Sequence, residues 1–431
     1  MMNPEAEELN RLILKNSKTV SELLSQRGNE IFFPKKGILS QSAEAKGKRI
    51  NATIGTALEN DGTPMRLQSI AKNILLNPDA AFSYAPSYGR PDFRERWKIM
   101  LSEKNPSLKG KEFSLPVVTS ALTHGLSMLG YLLVDKNDTV LLPDLYWENY
   151  DLVFRNAYGG KLSYYSLFRK GCLDLGSFRK KVNGKNPGKR IVLLNFPNNP
   201  SGYTPTIEEA KQIVVILKEA AIAGNKIAVI IDDAYYGLVY EDGIEKESLF
   251  SWLCDCHENI LAIKVDGPTK EDYVWGFRTG FLTYGIKGGS KELYTALEAK
   301  AAGAIRGNIS NAANLSQSLL LKAYTSETYT KEKEEKYGIL KRRYESVKKA
   351  LEGRKHKKYF KALPYNSGYF MCVETKKGID AERVRQLLLL KYDTGVIASG
   401  NLIRIAFSAI QTDKIPALFE NLINACGEVA Q

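Results

Sequence analysis

Residues 190–237 read RIVLLNFPNNPSGYTPTIEEAKQIVVILKEAAIAGNKIAVIIDDAYYG. The stretch opens on a β-branched apolar run, 190–196, without period-two alternation, which is how a strand buried on both faces reads. Asn198, Asn199 and Pro200 supply turn chemistry at its end. An amphipathic helical stretch comes next, and 227–232 is a second apolar run. Strand, helix and strand in that order imply a right-handed βαβ unit in a parallel sheet.

The same alternation extends outward in both directions. LPVVTS (115–120) leads into LTHGLSMLGYLL, and TVLLPD (139–144) leads into WENYDLVFRNA. After residue 232 come the runs ILAIKV (260–265) and GFLTYG (280–285). The expectation is an α/β domain with a mostly parallel central sheet flanked by helices. From 311 to about 356 the pattern is long and helical, and a long helix is expected to bridge to the C-terminal part of the chain. There SGYFMCVET (367–375), a helix near 380–391, TGVIAS, LIRIAFS (402–408) and a last helix read as a smaller α+β unit. The expected division is 1–62 as an N-terminal segment packing with the small unit, 63–310 as the large α/β domain, and 311–431 as the small domain.

Composition narrows the function classes. A chain of 431 residues exceeds what one core usually supports, so two domains are expected. The formal net charge is +13. However, the densest basic run, KEKEEKYGILKRRYESVKKALEGRKHKK (331–358), mixes acid and base at helical spacing. That pattern reads as a solvated helix face, not a phosphate-tracking stripe, so no nucleic-acid partner is expected. The five cysteines form no CxxC pair and the three histidines are dispersed, which argues against a zinc site; no metal is expected. Free thiols suit a reducing cytoplasm. The start, MMNPEAEELNRLILK, carries acids early and no apolar segment of signal-peptide type, and no run approaches membrane-spanning length.

Three segments carry chemistry. NFPNNPSGYTP (195–205) ends a strand, where open α/β sheets bind ligands, though taken alone it reads better as an ordinary strand-end turn. IIDDAYYGLVY (230–240) buries Asp232 at a strand end, where an unpaired carboxylate is costly unless a cation, such as a protonated heterocyclic nitrogen, faces it. Asp233 beside it is the candidate cap of the next segment. DGPTKEDYVWGFRTGF (266–281) holds Lys270, a candidate Schiff-base lysine if dry and near other cations, and Arg278, suited to a phosphate.

Together, NNPSG, DDAYYG, TKEDYVWGFR and LIRIAFS resemble the aspartate-aminotransferase superfamily of fold-type I enzymes that use pyridoxal 5′-phosphate, and the resemblance covers residues 50 to 410. It implies that Lys270 forms the Schiff base and moves the substrate Cα proton, and that Asp232 keeps the ring nitrogen protonated. Tyr235 and Asn199 would bond the ring's phenolic oxygen, and Trp147 in LPDLYWENY would stack on the ring, in preference to Tyr146. Arg278, Leu122 and Thr123 in SALTHGL would bind the phosphate, with Tyr84 in SYAPSYGRPDFR reaching it from a partner subunit. The resemblance therefore implies a homodimer with shared sites. Arg404 would clamp the substrate α-carboxylate with Gly55 closing on it. Arg306, in IRGNISNAA (305–313), resembles the arginine that reads a distal carboxylate.

The sequence departs from the resemblance at Gly267, where a phosphate-binding serine is usual; either Thr269 compensates or the phosphate site has one ligand fewer. Ala121 stands where glycine or serine is common, and SNAA replaces Ser-Asn-Pro-Pro. His124 reads as a helix-packing or solvent-facing residue and not a catalytic one, and Tyr236 and Trp275 read as packing residues. The expected activity is a ping-pong transamination between aspartate, or another dicarboxylic or aromatic amino acid, and a 2-oxo acid. A C–S β-lyase or an amino-acid decarboxylase on the same scaffold is the alternative. A transcription factor with an effector domain of this fold is disfavoured, since about 50 residues precede INATIG, too few for a helix-turn-helix module and linker.

Overall fold

The computed structural model describes residues 3–16, 21, 24, 26–31, 38–74, 76–184, 186–353 and 355–431. Its main sheet has seven strands: β1 (Val117–Thr119), β2 (Thr139–Pro143), β3 (Lys161–Tyr165), β4 (Lys189–Asn195), β5 (Lys226–Asp232), β6 (Ile260–Asp266) and β7 (Gly280–Gly285), in the order β1-β7-β6-β5-β4-β2-β3. Strands β2 to β6 pair in parallel where they touch, and β7 runs against both its neighbours. The last five residues of β4 and all six of β7 are buried, as both-face burial requires. Strand β3, KLSYY, is absent from the sequence expectation; it lies at the sheet edge with only its last residue buried, so its composition shows no apolar run.

Helices connect and flank these strands: α1 (Pro91–Lys104), α2 (Ala121–Leu133), α3 (Ile207–Ile222) and α4 (Lys291–Asn308). Helix α3 starts on a capping box, with the Thr206 side chain accepting from the Glu209 N–H and the Glu209 side chain accepting from the Thr206 N–H. Two helices come after α4, α5 (Asn314–Ala323) and α6 (Tyr329–Glu352), where the sequence pattern predicts one long helical stretch. Helix α5 lies on the large unit: Asn314 and Ser318 donate to the Asp79 and Ala80 carbonyls, and Ser318 accepts from Arg90. A division after residue 310 therefore cuts α5 from its contacts, and we propose one near 328 instead. The bridge is α6. Its first turns touch Glu271 and Asp272, and Arg343 further along donates to the Ser408 carbonyl.

The second sheet is antiparallel, with β8 (Phe360–Ala362), β9 (Phe370–Thr375), β10 (Ile397–Ser399) and β11 (Leu402–Ala406) in the order β8-β9-β11-β10. Helices α7 (Ala381–Lys391) and α8 (Ile415–Val429) pack together beside it. The N-terminal segment fastens here. Ile50–Asn51 pairs with Thr394–Gly395, the Gln41 amide bonds both backbone groups of Ala398, and Glu44 pairs with Arg385. Among the described residues no helix is long and apolar enough to cross a membrane.

Candidate active site

Parallel pairing brings the candidate residues together beyond the carboxyl ends of the central strands β4, β5 and β6. Asn195 and Asp232 are register partners at the ends of β4 and β5, and Val265, next to the end of β6, is the partner of Asp232 on the other side. The segments beyond these ends carry Asn199, Tyr235 and, in a short helix, Lys270.

Asp232 is buried and held from three sides. The Tyr150 hydroxyl donates to Oδ2 at 2.5 Å, the Ala234 N–H to Oδ1 at 3.2 Å, and the Asn195 amide to the Asp232 carbonyl at 2.9 Å. Burial raises its carboxyl pKa, while the Tyr150 hydrogen bond and the nearby Lys270 charge oppose that rise. Asp233 does not cap the following segment. It accepts from the Ser248 hydroxyl at 2.5 Å and pairs with the wholly buried Lys264.

Lys270 sits in the short helix Pro268–Glu271, its amine 4.9 Å from the Tyr235 ring centroid. Burial lowers its pKa to about 8, against the pull of Asp232, and the Arg278 charge adds to the lowering. Near neutral pH a useful fraction of this amine is unprotonated, which an ordinary surface lysine cannot match. The Tyr369 hydroxyl donates to the Lys270 carbonyl at 3.1 Å.

The substrate side of the cluster comes from the second sheet. Arg404, on β11, is buried, with Nη1 3.3 Å from Asn199 Oδ1 and Nη2 3.0 Å from the Thr53 carbonyl. Its guanidinium carbon lies 4.4 Å from the Phe370 ring centroid, and burial lowers its pKa. Gly55 borders the same space: a Cβ there would sit 3.3 Å from Phe370 Cζ and 3.9 Å from the Tyr235 hydroxyl. Arg404 Nε and Thr269 Oγ1 are buried without a partner.

Leu122 and Thr123 lie on the first turn of α2, after Ala121 in the left-handed region at φ 64°. Gly280 packs directly beneath them; a Cβ there would come within 2.7 Å of the Ala121 carbonyl carbon and 2.9 Å of the Leu122 nitrogen. Gly267 is equally confined. A side chain would meet Gly280 Cα and the Thr279 carbonyl oxygen at 2.8 Å each, so serine does not fit this backbone. Arg278 is exposed, in the left-handed region at φ 50°.

Trp147 is half-buried, edge-on to Tyr150 with centroids 5.5 Å apart. Tyr146 instead stacks on Tyr164 and donates to Asp151 at 2.7 Å. His124 accepts the Ser120 N–H through Nδ1 at 3.0 Å. Tyr236 is buried and donates to the Lys104 carbonyl. Tyr84 is 91% exposed and Arg306 is exposed, bonded to Ser310, so neither joins the cluster within this chain. Tyr150 and Asn195 escape a reading of the sequence. The available signals are a tyrosine three residues after Trp147 and an asparagine closing a buried strand.

The aminotransferase class I and II family model matches residues 49–422, and the chain belongs to that family. Among particular relatives, it is 23% identical over 270 residues to the probable N-acetyl-LL-diaminopimelate aminotransferase of Bacillus subtilis (strain 168), covering 61% of this chain and 60% of that protein. It is 30% identical over 202 residues to the probable aspartate/prephenate aminotransferase of Aquifex aeolicus (strain VF5), covering 46% of this chain and 48% of that one. The chain thus spans about half to three-fifths of these curated relatives. In structure it is similar to an aminotransferase from Anaerococcus prevotii, with a TM-score of 0.80 at 23% identity over 93% of this chain and 98% of that one. That likeness establishes the expected fold.

Proposed function

We propose that this chain is a pyridoxal 5′-phosphate-dependent aminotransferase, moving an amino group between an amino acid and a 2-oxo acid in two half-reactions. The observation that carries the reading is one cluster: a lysine amine lowered to about 8, a buried aspartate held by Tyr150, and a buried arginine contributed by the second sheet. The residues fit the cofactor. Buried Asp232 suits a protonated ring nitrogen, and the partnerless Thr269 Oγ1 is a hydroxyl in want of an acceptor. The α2 start suits a phosphate.

Leu122, Thr123, Thr269 and Arg278 would hold that phosphate, Tyr235 and Asn199 the ring's phenolic oxygen, and Trp147 the ring face. When bound, the cofactor supplies an electron sink for the charge left on the substrate Cα. Lys270 would take the Cα proton as general base and then, as general acid, give it up on the cofactor side and not back to Cα, for which its lowered pKa is suited. Arg404 grips the α-carboxylate, Gly55 closes on it, and both orient the Cα–H bond toward Lys270.

A homodimer with shared sites is part of the proposal, supported by the exposure of Tyr84 and Arg306, which would complete a partner's site. The five unpaired cysteines support a reducing, cytoplasmic setting. Aspartate, or another dicarboxylic or aromatic amino acid, is the proposed donor. The test is a panel of amino acids whose half-reactions are followed by cofactor absorbance in wild type and Arg306→Leu. Loss of preference for aspartate in the variant is expected; an unchanged preference refutes Arg306 as the selector.

A further inference from the structure

The segment between Lys270 and Arg278 is bent. Tyr273, a bulky buried residue, lies in the left-handed region at φ 59°, and Arg278 does so at φ 50°. Such conformations are strained for residues with a side chain and persist where the surroundings over-determine them. The fixing contacts fall on the two residues directly after Lys270. Asp272 is wholly buried and accepts from the Tyr324 hydroxyl at 2.8 Å and the Tyr329 hydroxyl at 2.7 Å, with Lys333 Nζ 3.0 Å away. Glu271 is buried too, 2.8 Å from the same Lys333 amine and paired with Lys104 from α1. Two lysines thus face two carboxylates, and Lys333 is the cation shared by both. It belongs to α6, whose Arg343 further along donates to the Ser408 carbonyl beside the second sheet.

We infer that Lys333 is a positioning residue: by gripping Glu271 and Asp272 together it holds the strained 270–278 segment in the one conformation that presents Lys270 and Arg278 to the same ligand. Its amine is engaged by Glu271, Asp272 and the Tyr329 hydroxyl, so its assigned role is to act through the segment and not on a ligand. Arg278 and Lys270 keep their charges without it, so its loss acts through geometry. The catalytic consequence rests on the proposed aminotransferase reading, and the structural one does not.

The experiment compares full-length Lys333→Met, Lys333→Arg and Tyr329→Phe with wild type, saturated with pyridoxal 5′-phosphate and also stripped of it. Backbone amide exchange of a peptide covering 267–279 is read in both forms, beside kcat and KM for the amino donor. Lys333→Met is expected to lower kcat by about 10- to 100-fold, the scale on which small misplacements of a catalytic group act, with KM changed less than about threefold. Exchange of 267–279 should rise selectively in both forms, and Lys333→Arg should recover most of the kcat. Tyr329→Phe, which removes one donor to Asp272, should move each readout the same way by less, and carries the test if Lys333→Met does not fold. Unchanged exchange at 267–279 with only a general loss of thermal stability overturns the inference. If wild type itself turns over no amino acid, the functional reading fails, and the exchange data still decide the clamp.

Discussion

Gly267 shows how one residue departs from a resemblance for a physical reason. The backbones of Gly267, Gly280 and Ala121–Leu122 stack so closely that added Cβ atoms would lie under 3 Å from main-chain atoms. Position 267 cannot lend a hydroxyl, and Thr269 Oγ1, buried without a partner, is a candidate to do so two residues on. Gly267→Ser is therefore expected to destabilise the fold by about 1–3 kcal/mol, the range of overpacked sites, and not to tighten cofactor binding. Denaturant unfolding of both proteins checks it; a serine variant of equal stability with tighter cofactor binding contradicts it. Lys270, Asp232 and Arg404 are legible as candidates because they stand in an ordered set of motifs, Asp232 closing a strand, Lys270 in the helix just after one and Arg404 in the middle of β11. Tyr150 and Asn195 are not. Their role is to hold Asp232 through tertiary hydrogen bonds, and a tyrosine or asparagine at such a spacing is equally at home in a core.

At the scale of elements, buried strands are readable where both faces are covered, as in β4 to β7, because each residue must then be apolar or paired. Lys264 is the instructive exception within β6. It is fully buried, pairs with Asp233, and its amine lies 3.6 Å from Asp266 and 4.6 Å from the Tyr236 ring centroid. In the sequence it is one lysine inside an apolar run; Asp266 follows two residues on in the same strand, but Asp233, just past the end of β5, is brought to it only by the pairing of β5 with β6. Lys264→Met should leave Asp233 buried without its cation and cost about 3–5 kcal/mol. Thermal and denaturant unfolding measure this, and stability within about 1 kcal/mol of wild type would show the pair to be dispensable. The edge strand β3 and the break between α5 and α6 are hidden for the opposite reason. Half-exposed elements tolerate almost any composition, and a helix break between two amphipathic stretches leaves little trace in periodicity.

The whole molecule divides its candidate site between two sheets, with Asp232 at the end of one and Lys270 in the helix just beyond it, Arg404 on the other, and α6 joining them. On the proposal, a second chain adds Tyr84 and Arg306. Mixing Lys270→Ala with Tyr84→Ala subunits under exchange should then create one intact site in each hybrid, restoring activity toward about a quarter of wild type at equal mixing. Activity equal to the sum of the two variants alone would place both residues in one subunit's site. Lys270 as covalent anchor and proton carrier is the central claim, and Lys270→Ala tests it most directly. Loaded with pyridoxal 5′-phosphate and given aspartate and 2-oxoglutarate, the variant should lack the absorbance of a lysine-linked cofactor and show no transamination above background; retained transamination would contradict that role.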